Sequence, residues 1–121
     1  MSDVVMAEAT APLGDAWAAM TFPAYRPLLA LIGSIHPATG GRPVAHCATI
    51  DGEPAGLALA ELAPGDSASA ELFSLFVIAG HRGQGIGTRL IEGMEADLRR
   101  RGAASLEAVY MTGRSAIASI E

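Results

Sequence analysis

The sequence holds one cysteine, Cys47, so no disulfide can form within the chain. A small secreted fold stapled by disulfides is thereby excluded, and a reducing cytoplasm is the expected compartment. Positive charge is scarce: 8 basic side chains stand against 13 acidic ones, a net charge of −5. No basic stripe of the kind a nucleic-acid binder carries is present. The one basic cluster, Arg99-Arg100-Arg101, reads as a helix C-terminus complementing the helix dipole. No apolar run approaches the ~20 residues of a membrane helix, and the N-terminus has neither the basic nor the apolar region of a secretory signal. Repeats and low-complexity segments are absent as well. No two of the three histidines have metal-ligand spacing, so no metal is expected.

What remains is the composition of one globular domain spanning 1–121. Of the 121 residues 50% are hydrophobic and 17% charged, with a mean hydropathy of +0.34. Much of the apolar content is alanine, so fewer Leu, Ile, Val, Phe and Met must build the core. The acidic balance fits a cationic substrate.

Residues 4–8 read as a first strand. Residues 12–20 read as a short helix capped by Asp15. A second helical segment over 24–33 tolerates Pro27 only in its first turn. Residues 34–43 have the composition of a loop. The apolar runs 44–50 and 55–62 flank Asp51-Gly52, a hairpin signal. Residues 70–78 form a nearly continuous apolar strand, of the sort covered on both faces. In the segment 85–101, Ile86, Leu90, Ile91, Met94 and Leu98 fall near one helix face, and Gly102 stops it. Residues 105–111 read as a strand and 113–121 as the start of another helix. The unit strand–glycine loop–helix–strand predicts parallel strands with Val77 and Val109 as neighbours.

The glycine loop between that strand and helix, His81-Arg82-Gly83-Gln84-Gly85-Ile86-Gly87, carries the chemistry. A helix N-terminus exposes unpaired amides and about half a positive charge, which makes a site for phosphate. Glycines let a bulky anion approach the backbone, and Arg82 can add a charged contact. A dinucleotide fingerprint would need G-x-G-x-x-G, but Thr88 stands where the third glycine belongs. A Walker A loop would need Gly-Lys-Ser/Thr, which is missing. A bare turn without ligand is the remaining alternative from the residues alone.

The stretch 75–103 resembles the acetyl-CoA motif of the GCN5-related N-acetyltransferase (GNAT) superfamily, Arg/Gln-x-x-Gly-x-Gly/Ala, met by Arg82, Gly85 and Gly87. The element order matches from Val4 to Glu121. The resemblance implies an α/β (α+β) fold, a mixed central sheet with the βαβ unit at its centre. It implies that acetyl-CoA is the acyl donor. Its pyrophosphate would be held by the amides of Gln84, Gly85, Ile86, Gly87 and Thr88, with Arg82 and Gly83 at the entrance. The preceding strand would splay from the next, so that Leu75, Phe76 and Val77 pair with the pantetheine arm and an amide of Phe76 or Val77 polarises the thioester.

The implied reaction is direct attack of a primary amine, on a small molecule or on a protein or peptide, with a base taking its proton. Glu71, eleven residues before Arg82, matches the position of that base in the histone-acetylating branch. A solvated strand start is its other reading. Two departures stand out. The family's usual general-acid tyrosine falls on Ile120, and Gly113 replaces a common asparagine. Tyr110 is a substitute if it points into the cleft. The chain is also C-terminally short of the family pattern, which predicts a bare edge on the 105–111 strand, completed by a second copy in a homodimer if the chain is not part of something longer. These departures favour a non-catalytic acyl-CoA-binding or regulatory module as the alternative function.

His46 and Cys47 are strand neighbours and should face opposite ways, so they make no nucleophile pair. His36 is a loop residue that either touches substrate or is solvated, and His81 can supplement the phosphate loop. Trp17, Phe22 and Tyr25 either line the acceptor cleft or pack in the core.

Overall fold

The computed structural model describes residues 3–65, 69–78, 80, 85–109 and 115–119. Among these residues six strands lie in one sheet in chain order: β1 (Val4–Ala9), β2 (Arg42–Ile50), β3 (Glu53–Leu62), β4 (Ser69–Val77), β5 (Ser105–Val109) and β6 (Ser115–Ser119). All neighbours are antiparallel except β4 and β5, which are parallel and bridged by the helix α2 (Ile86–Arg100). Between β1 and β2 run two 3₁₀ segments, Asp15–Met20 and Pro23–Tyr25, and the one-turn helix α1 (Arg26–Leu29), with Pro27 in its first turn. This is the mixed sheet with a βαβ unit expected from sequence.

The strands form for local reasons. Ile50 pairs with Glu53 across a two-residue turn in which Asp51 and Gly52 both have positive φ, 53° and 80°, the geometry that matches strand twist. Alternation then sends Val44 and Ala48 to one face and Ala45 and Cys47 to the other. On the first face, Leu90, Met94 and Leu98 of α2 pack over Ala58, Ala60, Leu72 and Leu106. On the second, Met20, Leu29 and Ile32 pack over Leu57 and Leu59. The central alanines 45, 48, 58 and 60 are fully buried, and their small side chains let both layers sit close to the sheet. The core is thus built on backbone proximity as much as on large side chains.

Four expectations are corrected. Asp15 lies in the first turn of its 3₁₀ segment; Gly14 takes the cap position and no side-chain cap bond forms. The segment expected to begin a helix at 113–121 instead contributes β6, in which Ile117 stands among small residues and the backbone pairs antiparallel with β5. The predicted bare edge of β5 is therefore covered within the chain. Finally, β4 and β5 pair only from Ser69↔Ser105 to Leu72↔Ala108, so Val77 and Val109 are not the parallel neighbours expected from sequence.

Candidate functional site

The last correction locates the site. On its β3 side, β4 stays paired as far as Gly56↔Val77. On its β5 side the paired register ends at Leu72, five residues before the strand does. The break coincides with a β-bulge: Leu59 opposes Ser74 and Ala60 opposes Leu72, so Phe73 is an extra residue. A bulge bends its strand and increases local twist, which turns residues 73–77 away from the line of β5.

At the end of that diverging stretch sits the N-terminus of α2. Gly85 is its cap residue, with φ 78° and ψ 8°, a left-handed conformation that costs glycine little. Among the described residues no side chain caps this end, and no acidic residue lies in its first turn. Arg89 N donates to Gly85 O at 3.0 Å to start the helical ladder, so the amides of Ile86, Gly87 and Thr88 have no intrahelical acceptor. Thr88 is exposed and Ile86 is buried in the core. Gly87 is not required by packing, since a Cβ there would meet Val77 Cγ2 at an ordinary 3.7 Å. Gly56 is required: a Cβ on it would come within 2.9 Å of Leu90 Cδ1 and 3.1 Å of Phe76 O. The missing side chain lets the first turns of α2 rest against the end of β4.

A cleft of about 140 Å³ opens beside the splay, lined by Ala19, Met20, Thr21, Phe22, Ser74, Leu75 and Phe76. The Thr21 and Ser74 hydroxyls hydrogen-bond each other and tie the end of the first 3₁₀ segment to β4. Leu75 is 45% exposed and Phe22 40% exposed at its rim. Tyr25 stacks on Phe73 with ring centroids 4.6 Å apart, and Phe22 meets the edge of Tyr25 at 6.3 Å. Of the three aromatics left open from sequence, Phe22 lines the cleft, whereas Tyr25 and Trp17 pack against the core.

Glu71 is exposed on the face opposite α2, the same face as the 3₁₀ segments, because its neighbours Ala70 and Leu72 point into the α2 core. It stands opposite Glu61 on β3 and Glu107 on β5, a row of three carboxylates. Glu61 is engaged: His36 Nδ1 lies 2.8 Å from its Oε1, and Thr39 Oγ1 donates to its Oε2 at 3.1 Å. His36, read from sequence as a loop residue, is thus tied to the sheet. Arg82, Gly83, Gln84, His81, Tyr110, Gly113 and Ile120 lie outside the described residues.

One cluster escaped the sequence reading. His46 on β2 is buried, and its Nε2 lies 2.9 Å from Oδ2 of Asp97 on α2. Gly93 makes room for the ring, since a Cβ there would sit 3.1 Å from His46 Nδ1. Arg101 Nε donates to Asp97 Oδ1 at 2.9 Å, Arg100 adds a bond at 3.3 Å, and both arginines also reach Glu8. Burial pushes the Asp97 carboxyl up, but the hydrogen bonds and charges of Arg101 and His46 outweigh it and hold it below its ordinary value. Glu8, His46 and Asp97 bring ligand-type atoms within 4.8 Å of one another, yet two guanidinium groups already balance the two carboxylates. The signal in the sequence was an aspartate between the core residues Met94 and Leu98. Cys47, on the opposite face as predicted, has its thiol pushed up to about 11 by burial and is no nucleophile at neutral pH.

The comparisons agree with this geometry. The acetyltransferase (GNAT) family model matches residues 10–120. A search of curated proteins gave no match. Among solved structures, a GNAT family acetyltransferase from Elizabethkingia anophelis with acetyl-CoA bound superposes with a TM-score of 0.62 at 16% identity, over 87% of this chain and 63% of that one. A tandem GNAT protein from the clavulanic acid biosynthesis pathway gives 0.69 at 18% identity, over 89% and 37%. An aminoglycoside 6'-N-acetyltransferase complexed with coenzyme A gives 0.51 at 29% identity, over 55% and 36%. The chain spans less than two thirds of each of these three proteins. On the family match, which covers most of its length, the chain belongs to the acetyltransferase (GNAT) family.

Proposed function

We propose that the chain transfers an acetyl group from acetyl-CoA to a primary amine. The observation that carries this reading is the coincidence of two features on one strand. β4 leaves β5 at the Phe73 bulge, and the same strand leads to the uncapped N-terminus of α2. The pantetheine arm lies along Leu75, Phe76 and Val77 like an added strand. The pyrophosphate rests on the amides of Gln84, Gly85, Ile86, Gly87 and Thr88, with Arg82 and Gly83 at the entrance. Two of the three solved structures named above hold acetyl-CoA or coenzyme A.

The amine nitrogen attacks the thioester carbonyl carbon, the C–S bond breaks and coenzyme A leaves as thiolate. The backbone amide of Phe76 or Val77, fixed before charge develops, receives the carbonyl oxygen. Glu71 takes the proton of the incoming ammonium, directly or through water, since a protonated amine has no lone pair to attack with. Its place in the Glu61–Glu71–Glu107 row, on the same face as the cleft, favours a cationic acceptor. Tyr110 is assigned to protonate the departing thiolate, and the compartment is taken to be the cytoplasm. Among the described residues no helix is long and apolar enough to cross a membrane.

The test is calorimetric titration with acetyl-CoA and coenzyme A, followed by thiol release with a panel of amines. No heat up to millimolar coenzyme rejects the coenzyme site. Binding without thiol release from any amine makes the chain a binding module.

A further inference from the structure

We propose that the cleft between residues 19–22 and 74–76 receives the acyl group of the donor, and that it is built for a chain of about four to six carbons rather than for acetyl alone. The inference rests on the placement of coenzyme A along β4 and adds the identity of its acyl group. The cleft measures about 140 Å³. An apolar cavity of about 150 Å³ accommodates a benzene-sized guest, whereas acetyl offers a single methyl group and leaves most of such a space empty.

The lining fits hydrocarbon. Met20, Phe22, Leu75 and Phe76 supply apolar surface, and Met20 can adapt its shape to a chain end. The two polar side chains on the wall, Thr21 and Ser74, are buried at 9% and 6% exposure and hydrogen-bond each other. Their mutual bond uses one of the two O–H donors, so a polar acceptor group entering the cleft would exchange its hydration for little more than a single hydroxyl donor.

Position selects the occupant. One wall, residues 74–76, overlaps the stretch assigned to the thioester, so the acyl carbon enters at the rim and its tail points between β4 and the end of the first 3₁₀ segment. The cationic acceptor is drawn to the Glu61–Glu71–Glu107 row instead, which leaves the apolar cleft to the acyl tail.

The experiment is calorimetry on the full chain with coenzyme A, acetyl-CoA, butyryl-CoA and hexanoyl-CoA. Butyryl-CoA is expected to bind about tenfold tighter than acetyl-CoA, the discrimination one or two methylenes give in an apolar pocket. Ala19 is exposed on the cleft wall, so Ala19→Phe fills the space from outside the core and should bring the butyryl-to-acetyl ratio to one or below. Phe22→Ala should move the optimum to hexanoyl-CoA. Equal affinity for acetyl-CoA and butyryl-CoA, or a ratio untouched by both substitutions, overturns the acyl pocket while leaving the coenzyme site intact. Failure of every coenzyme to bind overturns both.

Discussion

Glu61 on β3 and Glu71 on β4 face each other across the sheet, with both side chains on the face away from α2. Like charges directly opposite each other in neighbouring strands destabilise a sheet, and Glu107 on β5 extends the row. His36 and Thr39 offset part of that cost at Glu61. For Glu71 we assign the cost to proton transfer.

Glu71→Gln should therefore lower the transfer rate by about 10²- to 10⁴-fold, the usual worth of a general base. Coenzyme affinity should stay as in the wild type, and stability should rise by roughly 0.2–1 kcal/mol through relief of repulsion. Thiol-release kinetics, calorimetry and urea unfolding separate the three effects. Unchanged turnover would remove Glu71 from the mechanism.

Gly85→Ala tests the cradle. Its φ of 78° is unfavourable for a residue with a Cβ, so the substitution should cost roughly 1–2 kcal/mol in urea unfolding. Coenzyme A should bind more weakly, because the strained cap shifts the amides that follow it. Full affinity in a destabilised variant would show that the pyrophosphate rests elsewhere.

Asp97→Asn probes the buried pair that holds the C-terminal half of α2 to β2. It should destabilise the fold by about 3 kcal/mol, the low end for breaking a buried pair, because Arg100 and Arg101 reach solvent. The pH dependence follows from the sign of the shift. The folded carboxyl titrates below its ordinary 3.8, so the stability it contributes is complete above that value. It is lost as pH falls through the lower folded value. Urea midpoints of wild type and variant should stay apart at neutral pH and converge below about pH 4.

Cys47 should resist alkylation. With its thiol pushed up to about 11 and its side chain buried, iodoacetamide at pH 8 should label the chain only after urea unfolding. Cys47→Ala should leave acetyl transfer unchanged; rapid native labelling would contradict the burial.

Local chemistry was legible wherever it is local in the chain. Asp51-Gly52 announced its hairpin, and the spacing of Ile86, Leu90, Met94 and Leu98 announced α2. The glycine loop announced the close backbone approach at the start of α2, and the structure adds the positive φ of Gly85. Residues 113–121 misled because a short run of alanine, serine and isoleucine suits either element, and only the presence of β5 alongside decides for a strand.

By itself, then, the sequence determined the order of elements as far as β5, the glycine loop at the start of α2 and the family resemblance, because turn chemistry and periodicity act over a few residues. Tertiary structure alone decided the rest. The Phe73 bulge depends on how β4 registers against β3, and that register sets where β4 leaves β5. The carboxylate row exists only once three strands are aligned. His46 and Asp97 meet across 51 residues of chain, and whether a buried charge finds its partner depends on packing that no local pattern records.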